Sequence, residues 1–111
     1  MKETINFENF SAVDLRVGTI IDVHDFPEAR NPAYQLHIDF GDLGVKKTSA
    51  QITALYKKEE LVNRQIVAVV NFPKKQIAKF MSECLVLGAV KHKDVMLLHP
   101  EVKVENGTPV L

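Results

Sequence analysis

Cysteine and long apolar runs are nearly absent from this chain. Its 111 residues include one cysteine, Cys84. A lone cysteine forms no internal disulfide, and no CxxC pair exists to hold a metal. No stretch approaches the roughly 18 uncharged apolar residues of a membrane span, and the polar start fits no signal peptide. We therefore expect a cytoplasmic protein with no membrane insertion.

Sequence patterns of catalysis are missing as well. The chain has no GxSxG, no glycine-rich phosphate loop and no HExxH. His24 and His37 fall on the outward side of two predicted neighbouring strands and could approach each other, but a metal site needs at least a third ligand. Ordinary surface histidines are the favoured interpretation. We predict a binding protein that is not an enzyme, with no metal and no cofactor.

The composition is that of one globular domain, which we place at residues 1–111. Hydrophobic residues make up 46% of the chain and charged residues 25%, which is ordinary for a folded soluble domain. Cys84 stands beside the apolar run that begins at Leu85, a setting typical of a thiol packed in a core. A domain this small has little spare stability, so dimerisation would help it.

The charge is unevenly distributed although the net charge is zero. Residues 1–45 carry three basic residues against eight acids, whereas residues 46–93 carry ten against three. A local concentration of lysine attracts anionic partners even when the whole chain is neutral. A solvated basic face with no partner explains the same pattern equally well.

Alternating and β-branched apolar runs predict several short strands. Between Leu15 and Val23 the alternation puts Val17, Thr19, Ile21 and Val23 on one face. Further predicted strands cover 34–40, 45–52, 66–70, 85–87 and 95–98. Strands at this spacing favour an all-β fold, specifically a small Greek-key OB-fold barrel.

Two short helical segments are predicted beside the strands. Thr53 is a candidate N-cap for a helix within 53–61, between two strands. Asn6 is a candidate N-cap for one helical turn at the front of the chain, which would place Phe7 and Phe10 on the same side. These two rings could pack on the barrel or on another subunit, so we expect them at a dimer contact.

The segment 71–83 is the most informative for function. It interleaves Lys74, Lys75 and Lys79 with apolar residues, between two predicted strands. Lysines attract phosphates, aromatic rings stack on bases, and Ser82 could donate to a phosphate or a 2′-hydroxyl group. The competing interpretation is that the apolar side chains close the barrel end while the lysines remain in water.

A second class of partner fits the same segment. Phe72, Ile77, Phe80 and Met81 could form an adaptable apolar surface for unrelated peptides, because methionine-containing surfaces repack easily. The sequence alone does not decide between polyanion and peptide.

Several blocks of the chain, in order, resemble the tRNA-binding domain family, an OB-fold family of the EMAP-II-like type. They are DLRVGTI at 14–20, the strand at 34–41, SAQI at 49–52, Tyr56, EEL at 59–61, VAVVNFP at 67–73, and Ser82-Glu83. Within that family the chain most resembles the CsaA-type export chaperones, through FPEAR at 26–30, SAQIT at 49–53 and VVNFP at 69–73.

This resemblance implies an OB barrel, a homodimer and a chaperone that holds unfolded export precursors and cooperates with the secretion motor ATPase. It also implies tRNA as a partner through Lys74, Lys75, Ser82 and Glu83, with Lys79 an addition of this chain. Lys79 and Cys84 stand where tRNA binders commonly have glycine. A homodimeric CsaA-type chaperone that retains tRNA binding is the leading hypothesis, and a stand-alone tRNA-binding module is the alternative.

Overall fold

Short strands dominate the fold, and a computed structural model describes all residues from 1 to 111. Six strands form one sheet in the order β3-β2-β1-β4-β7, with β10 also paired to β1. The helices are α1 (Phe7–Ser11) and α2 (Lys58–Leu61), with a 3-10 turn at Gly41–Leu43; the strands are β1 (Leu15–Asp25), β2 (Tyr34–Asp39), β3 (Val45–Ala50), β4 (Gln65–Val69), β5 (Lys75–Ile77), β6 (Phe80–Ser82), β7 (Leu85–Val86), β8 (Gly88–Lys91), β9 (Asp94–Leu97) and β10 (Pro109–Val110).

The strand order is that of a Greek key. Strands β1, β2 and β3 form a consecutive antiparallel meander, and β4 returns to pair with β1. The barrel closes where the residue after β6 reaches the free edge of β3, since the Glu83 N–H donates to the Lys47 carbonyl at 2.8 Å. The predicted small all-β, OB-like barrel is confirmed. Two hairpins, β5–β6 and β8–β9, form separate two-stranded sheets.

The face assignment predicted for β1 is wrong at Ile20 and Ile21, whereas Val23 is buried as the alternation predicted. A β-bulge lies between Ile20, which pairs with Ile38, and Asp22, which pairs with His37. The extra residue is Ile21, which is exposed, whereas Ile20 is fully buried. An extra residue reverses the alternation of side chains. As a result, Asp22 and His24 face outward.

The core is formed mainly by the inward side chains of β1, β2 and β4, and Phe40 is its largest fully buried side chain. Gly18 is required there because a Cβ atom at this position would lie 2.6 Å from Ile38 Cγ2 and 2.7 Å from the Phe40 ring. Cys84 is buried, and desolvation raises the pKa of its thiol to about 12. The expectation that Cys84 packs as a core residue is therefore confirmed, since a thiol with this pKa stays protonated.

Both helices are short, with five and four residues, and no helix is long and apolar enough to cross a membrane. Asn6 caps α1 as predicted, its Oδ1 accepting from the Asn9 N–H at 2.9 Å. The N-cap predicted at Thr53 is wrong. The helix begins at Lys58, because the Lys57 N–H finds its partner in Glu60 Oε1 at 2.8 Å and Leu61 is fully buried.

Candidate binding cleft

A cleft of about 970 Å³ opens between the end of β3, the β5–β6 hairpin and the segment from β7 to β9. Eleven of its twenty lining residues are hydrophobic. The apolar part of the cleft includes Ile52, Phe72, Ile77, Leu85, Val90 and Val95. Its volume lies at the upper end of the roughly 300–1,000 Å³ range of ligand sites.

Three apolar side chains of the cleft are unusually open to solvent. The exposed fraction is 53% for Phe72, 48% for Leu85 and 69% for Val90. Scattered apolar residues are normal on a protein surface, but a contiguous concave group is typical of a binding site. Phe72 and Ile77 were predicted as peptide-contacting residues, and the structure places both in the cleft.

Sequence reasoning missed Leu85 and Val90. The apolar run 85–87 predicted only a short strand, and β7 is two residues long and pairs with β4 alone, at the edge of the sheet. Cys84 is buried and Leu85 is exposed, whereas Val86 and Leu87 are half-buried, and all four line the cleft. A short apolar run carried no signal of which side chain would be open to solvent.

Lysines border the cleft on one side. Lys74 and Lys75 line it, and Lys79 is exposed in the two-residue turn between β5 and β6. The Lys74 ammonium lies 3.4 Å from Glu83 Oε2, and both lysines of the rim are solvent-exposed. The three lysines predicted as a polyanion site therefore lie on the β5–β6 hairpin and in the loop residue that precedes it, with Lys79 outside the cleft lining.

Ser82 lines the cleft, but its hydroxyl is committed to the fold. Thr48 Oγ1 donates to the Cys84 carbonyl at 2.7 Å and lies 2.8 Å from Ser82 Oγ. Because a hydroxyl has one proton, Ser82 donates to Thr48 when Thr48 donates to Cys84. Both residues are buried. The donor that the sequence assigned to phosphate binding is thus used internally.

Glu83 likewise holds the barrel together. Its Oε1 accepts from the Lys47 N–H at 3.0 Å, while its own N–H donates to the Lys47 carbonyl. The pKa of Glu83 is lowered, mainly by the Lys47 backbone hydrogen bond and further by Lys74. The carboxylate therefore fixes the closing edge and positions the Lys74 ammonium. An acidic group at this place repels phosphate by itself.

Phe80 and Met81 do not line the cleft. The Phe80 ring packs against Phe26 with 5.4 Å between centroids, and the Lys47 ammonium lies 5.1 Å from the Phe80 ring centroid. Both Phe80 and Met81 are half-buried on β6. Of the four residues predicted for peptide binding, the structure brings two to the cleft and places the other two in the packing of the hairpin.

The turn of the β5–β6 hairpin has its left-handed residue at Ala78, with φ of 54°. The side chain of Gln76 supports the turn by donating from Nε2 to the Ala78 carbonyl at 3.0 Å. The glycine position that the family resemblance marked, Lys79, has no positive φ. The conformational cost of this turn therefore falls on the alanine and not on the lysine.

Phe7 and Phe10 lie on α1, far more exposed than ring side chains in a core. Their centroids are 6.3 Å apart, and the exposed fractions are 77% and 40%. No residue of α1 is buried. The helix is tethered at its end by Asn71, whose Nδ2 donates to the Ala12 carbonyl at 2.8 Å.

A nearly closed OB-like barrel with an open cleft that combines apolar side chains and a lysine border is the architecture of a binding domain. The chain belongs to the tRNA-binding domain family. The family model described as "Putative tRNA binding domain" matches residues 15–109.

Solved structures of similar chains cover nearly all of this one. The chaperone CsaA of Bacillus anthracis is 53% identical with a TM-score of 0.94, covering 98% of this chain and 100% of that one. The CsaA chaperone protein of Picrophilus torridus is 54% identical with a TM-score of 0.93, covering 97% and 100%. The resemblance to the CsaA branch that the sequence motifs indicated is confirmed.

A longer relative carries a similar domain. The methionine–tRNA ligase of Pyrococcus abyssi is 38% identical over 106 residues, which is 96% of this chain but 14% of the ligase. The present chain thus spans about a seventh of that ligase. The similarity concerns a tRNA-binding domain and not the catalytic body of the enzyme.

Proposed function

We propose that this chain is a homodimeric chaperone of the CsaA type, which holds unfolded export precursors in the cleft and retains tRNA binding at its lysine border. The carrying observation is the open cleft lined by Phe72, Leu85 and Val90. The full-length similarity to two CsaA chaperones supports the proposal. Cooperation with the secretion motor ATPase stays a prediction.

The cleft suits an unfolded polypeptide for two physical reasons. Its exposed apolar side chains offer a surface for the hydrophobic residues that folding would otherwise bury. The lysines at its border carry long aliphatic stems that cover apolar surface while their ammonium groups stay in water. Binding through such surfaces depends little on sequence, which a holder of many precursors requires.

The test measures how well the protein prevents an unfolded precursor from aggregating, by light scattering. Leu85→Ser and Val90→Ser should each reduce protection. Their controls are matched in residue type and exposure: Leu98 at 45% against Leu85 at 48%, and Val102 at 68% against Val90 at 69%. Neither Leu98 nor Val102 lines the cleft, so Leu98→Ser and Val102→Ser should leave protection intact. Equal loss in both pairs, or loss in neither, would remove the cleft from the mechanism.

The homodimer is proposed to form through α1. A five-residue helix is too short to be stable by itself in water, and α1 has no buried residue. Phe7 and Phe10 therefore expose apolar surface that a second copy would cover. Light scattering at micromolar concentration should give a molecular mass of about twice the 12.5 kDa of one chain. The double variant Phe7→Ser with Phe10→Ser should give the mass of a single chain. A monomeric wild-type chain contradicts this assembly.

A stand-alone tRNA-binding module without a chaperone role is the second candidate. The lysine border at Lys74 and Lys75 favours it, because ammonium groups on one edge contact successive phosphates. Affinity should then fall with salt, with a slope of roughly −0.7 to −0.9 per phosphate contacted. A flat salt response, or no binding at low salt, eliminates tRNA as a ligand.

The β8–β9 hairpin supplies a charge-matched control for that titration. Lys75→Gln with Lys79→Gln removes two charges from one hairpin, and Lys91→Gln with Lys93→Gln removes two from the other. The first pair should weaken tRNA binding and lower the salt slope, and the second should not. Equal effects would mean that the charge acts as a diffuse field with no defined site.

A further inference from the structure

Two histidines and an aspartate meet on the outer surface of the β1–β2 pair, among residues that do not line the cleft. They are Asp22, His24 and His37. The ligand atoms that these side chains offer, one nitrogen or oxygen from each, all lie within 4.8 Å of one another. The shortest separation is 2.8 Å, between His24 Nε2 and Asp22 Oδ2.

The β-bulge at Ile21 creates this meeting. Ile20 and Val23 are both buried, although they are three positions apart, so Asp22 and His24 both point outward. In an unbulged strand, Asp22 and His24 would have faced the core, because they lie two and four positions after the inward-facing Ile20. Bulges commonly reorient side chains in this way at functional places.

The neighbouring strand supplies the third group in register. His37 is the direct antiparallel partner of Asp22, and it lies between Leu36 and Ile38, both fully buried. Directly opposed residues of a sheet have Cβ atoms about 4.5–5.5 Å apart. The three side chains are therefore held on two paired strands and not on a flexible loop.

His37 also has a nitrogen without a structural partner. Its Nδ1 is buried and forms no hydrogen bond. By contrast, Nδ1 of His99 lies 2.8 Å from the Pro100 carbonyl. An imidazole that is not committed to a backbone group is free to turn a ring nitrogen toward a cation.

We propose that Asp22, His24 and His37 form a surface site for one divalent transition-metal ion, with Zn²⁺ the expected occupant. Two imidazole nitrogens and one carboxylate oxygen are a ligand set that suits Zn²⁺, Ni²⁺ or Cu²⁺ and not Mg²⁺ or Ca²⁺. Ligation at about 2.0–2.2 Å requires the side chains to draw closer by small rotamer adjustments. Water completes the coordination at the fourth position.

The test titrates Zn²⁺ into the untagged chain. Calorimetry should give one ion for each chain. The chain has four histidines, so the imidazole ¹⁵N signals provide an internal control: those of His24 and His37 should shift with Zn²⁺, and those of His92 and His99 should not. A response spread over all four histidines, or no saturable binding, overturns the proposal.

Substitutions then identify the ligands. His24→Gln and Asp22→Asn should each weaken Zn²⁺ at least as much as the roughly 10- to 100-fold loss seen when an outer partner of a metal ligand is removed. Both residues are exposed, so circular dichroism and thermal melting without metal should remain as in the wild type. The control is His92→Gln with His99→Gln, which should bind as the wild type does. Loss of affinity in that control, or none in the first two variants, overturns the site.

Discussion

The buried hydroxyl pair of Thr48 and Ser82 separates a structural role from an RNA-contacting one. Ser82→Ala removes a hydroxyl that lies 2.8 Å from Thr48 Oγ1, while Thr48 keeps its 2.7 Å bond to the Cys84 carbonyl. One buried hydrogen bond is lost and no strong acceptor is left alone. The expected loss in the free energy of unfolding is about 1 kcal/mol.

Thr48→Val is a harsher change of similar shape. It leaves the Cys84 carbonyl without its donor, and Ser82 Oγ lies 3.5 Å from that carbonyl and replaces it poorly. A buried acceptor left unpaired costs about 1–3 kcal/mol. Adding Ser82→Ala to Thr48→Val should then cost less than it does in the wild type, because the two residues share one network.

Urea denaturation of the wild type, the two single variants and the double variant measures these free energies, and tRNA titration of the same proteins measures binding. The expected result is a lower urea midpoint for Ser82→Ala with unchanged tRNA affinity. An unchanged midpoint together with weakened tRNA binding would show that Ser82 acts as a ligand contact, and would refute the reasoning from burial and proton count.

Three further predictions concern the stability of the fold. Gly18→Ala should destabilise the barrel by about 1–3 kcal/mol in thermal unfolding, because the new Cβ overlaps Ile38 and Phe40; a stability equal to the wild type would contradict it. Ala78→Gly should stabilise the hairpin by up to about 1 kcal/mol, since φ is 54° there, whereas Lys79→Gly should bring no gain. Glu83→Gln should reduce stability at neutral pH, because folding lowers the pKa of Glu83 below its ordinary value of 4.5. The stabilisation by the charged carboxylate is present above about pH 4.5 and disappears as the pH falls through the folded pKa. If the difference in stability between Glu83→Gln and the wild type stays constant as the pH falls below the folded pKa, the charge of Glu83 is not its cause.

The barrel could be predicted from the sequence because its strands show either alternating apolar residues or, at β4, a continuous apolar run. The bulge could not, since Ile20 and Ile21 are equally apolar and only pairing with β2 decides which one enters the core. The start of α2 was misplaced for a similar reason, although the helix lies within the predicted segment 53–61. Thr53 is a good cap by residue type, but the burial of Leu61 decides where the helix forms.

The segment 71–83 contributes residues to the candidate cleft, but some of the side chains predicted there as ligand contacts are used within the fold. The lysines of 71–83 could be predicted as surface charges from the sequence, because a lysine is exposed in most contexts without any specific tertiary contact. The roles of hydroxyl and ring groups depend on contacts with residues distant in sequence. Ser82 is hydrogen-bonded to Thr48, and the Phe80 ring packs against Phe26. Such contacts convert residues that look like ligand contacts into structural ones.

The two proposed ligands should compete, because the border and the apolar surface belong to one cleft. Lys74 and Lys75 line the same cleft as Phe72 and Ile77, so a polyanion lying along the lysines would cover the entrance for a peptide. Adding tRNA at low salt should therefore release a fluorescent unfolded peptide. Raising the salt should restore peptide binding, because salt weakens phosphate contacts strongly and apolar contacts little. Lys75→Gln with Lys79→Gln should reduce competition without reducing peptide affinity. Simultaneous binding of both ligands would show instead that they use separate surfaces of the barrel.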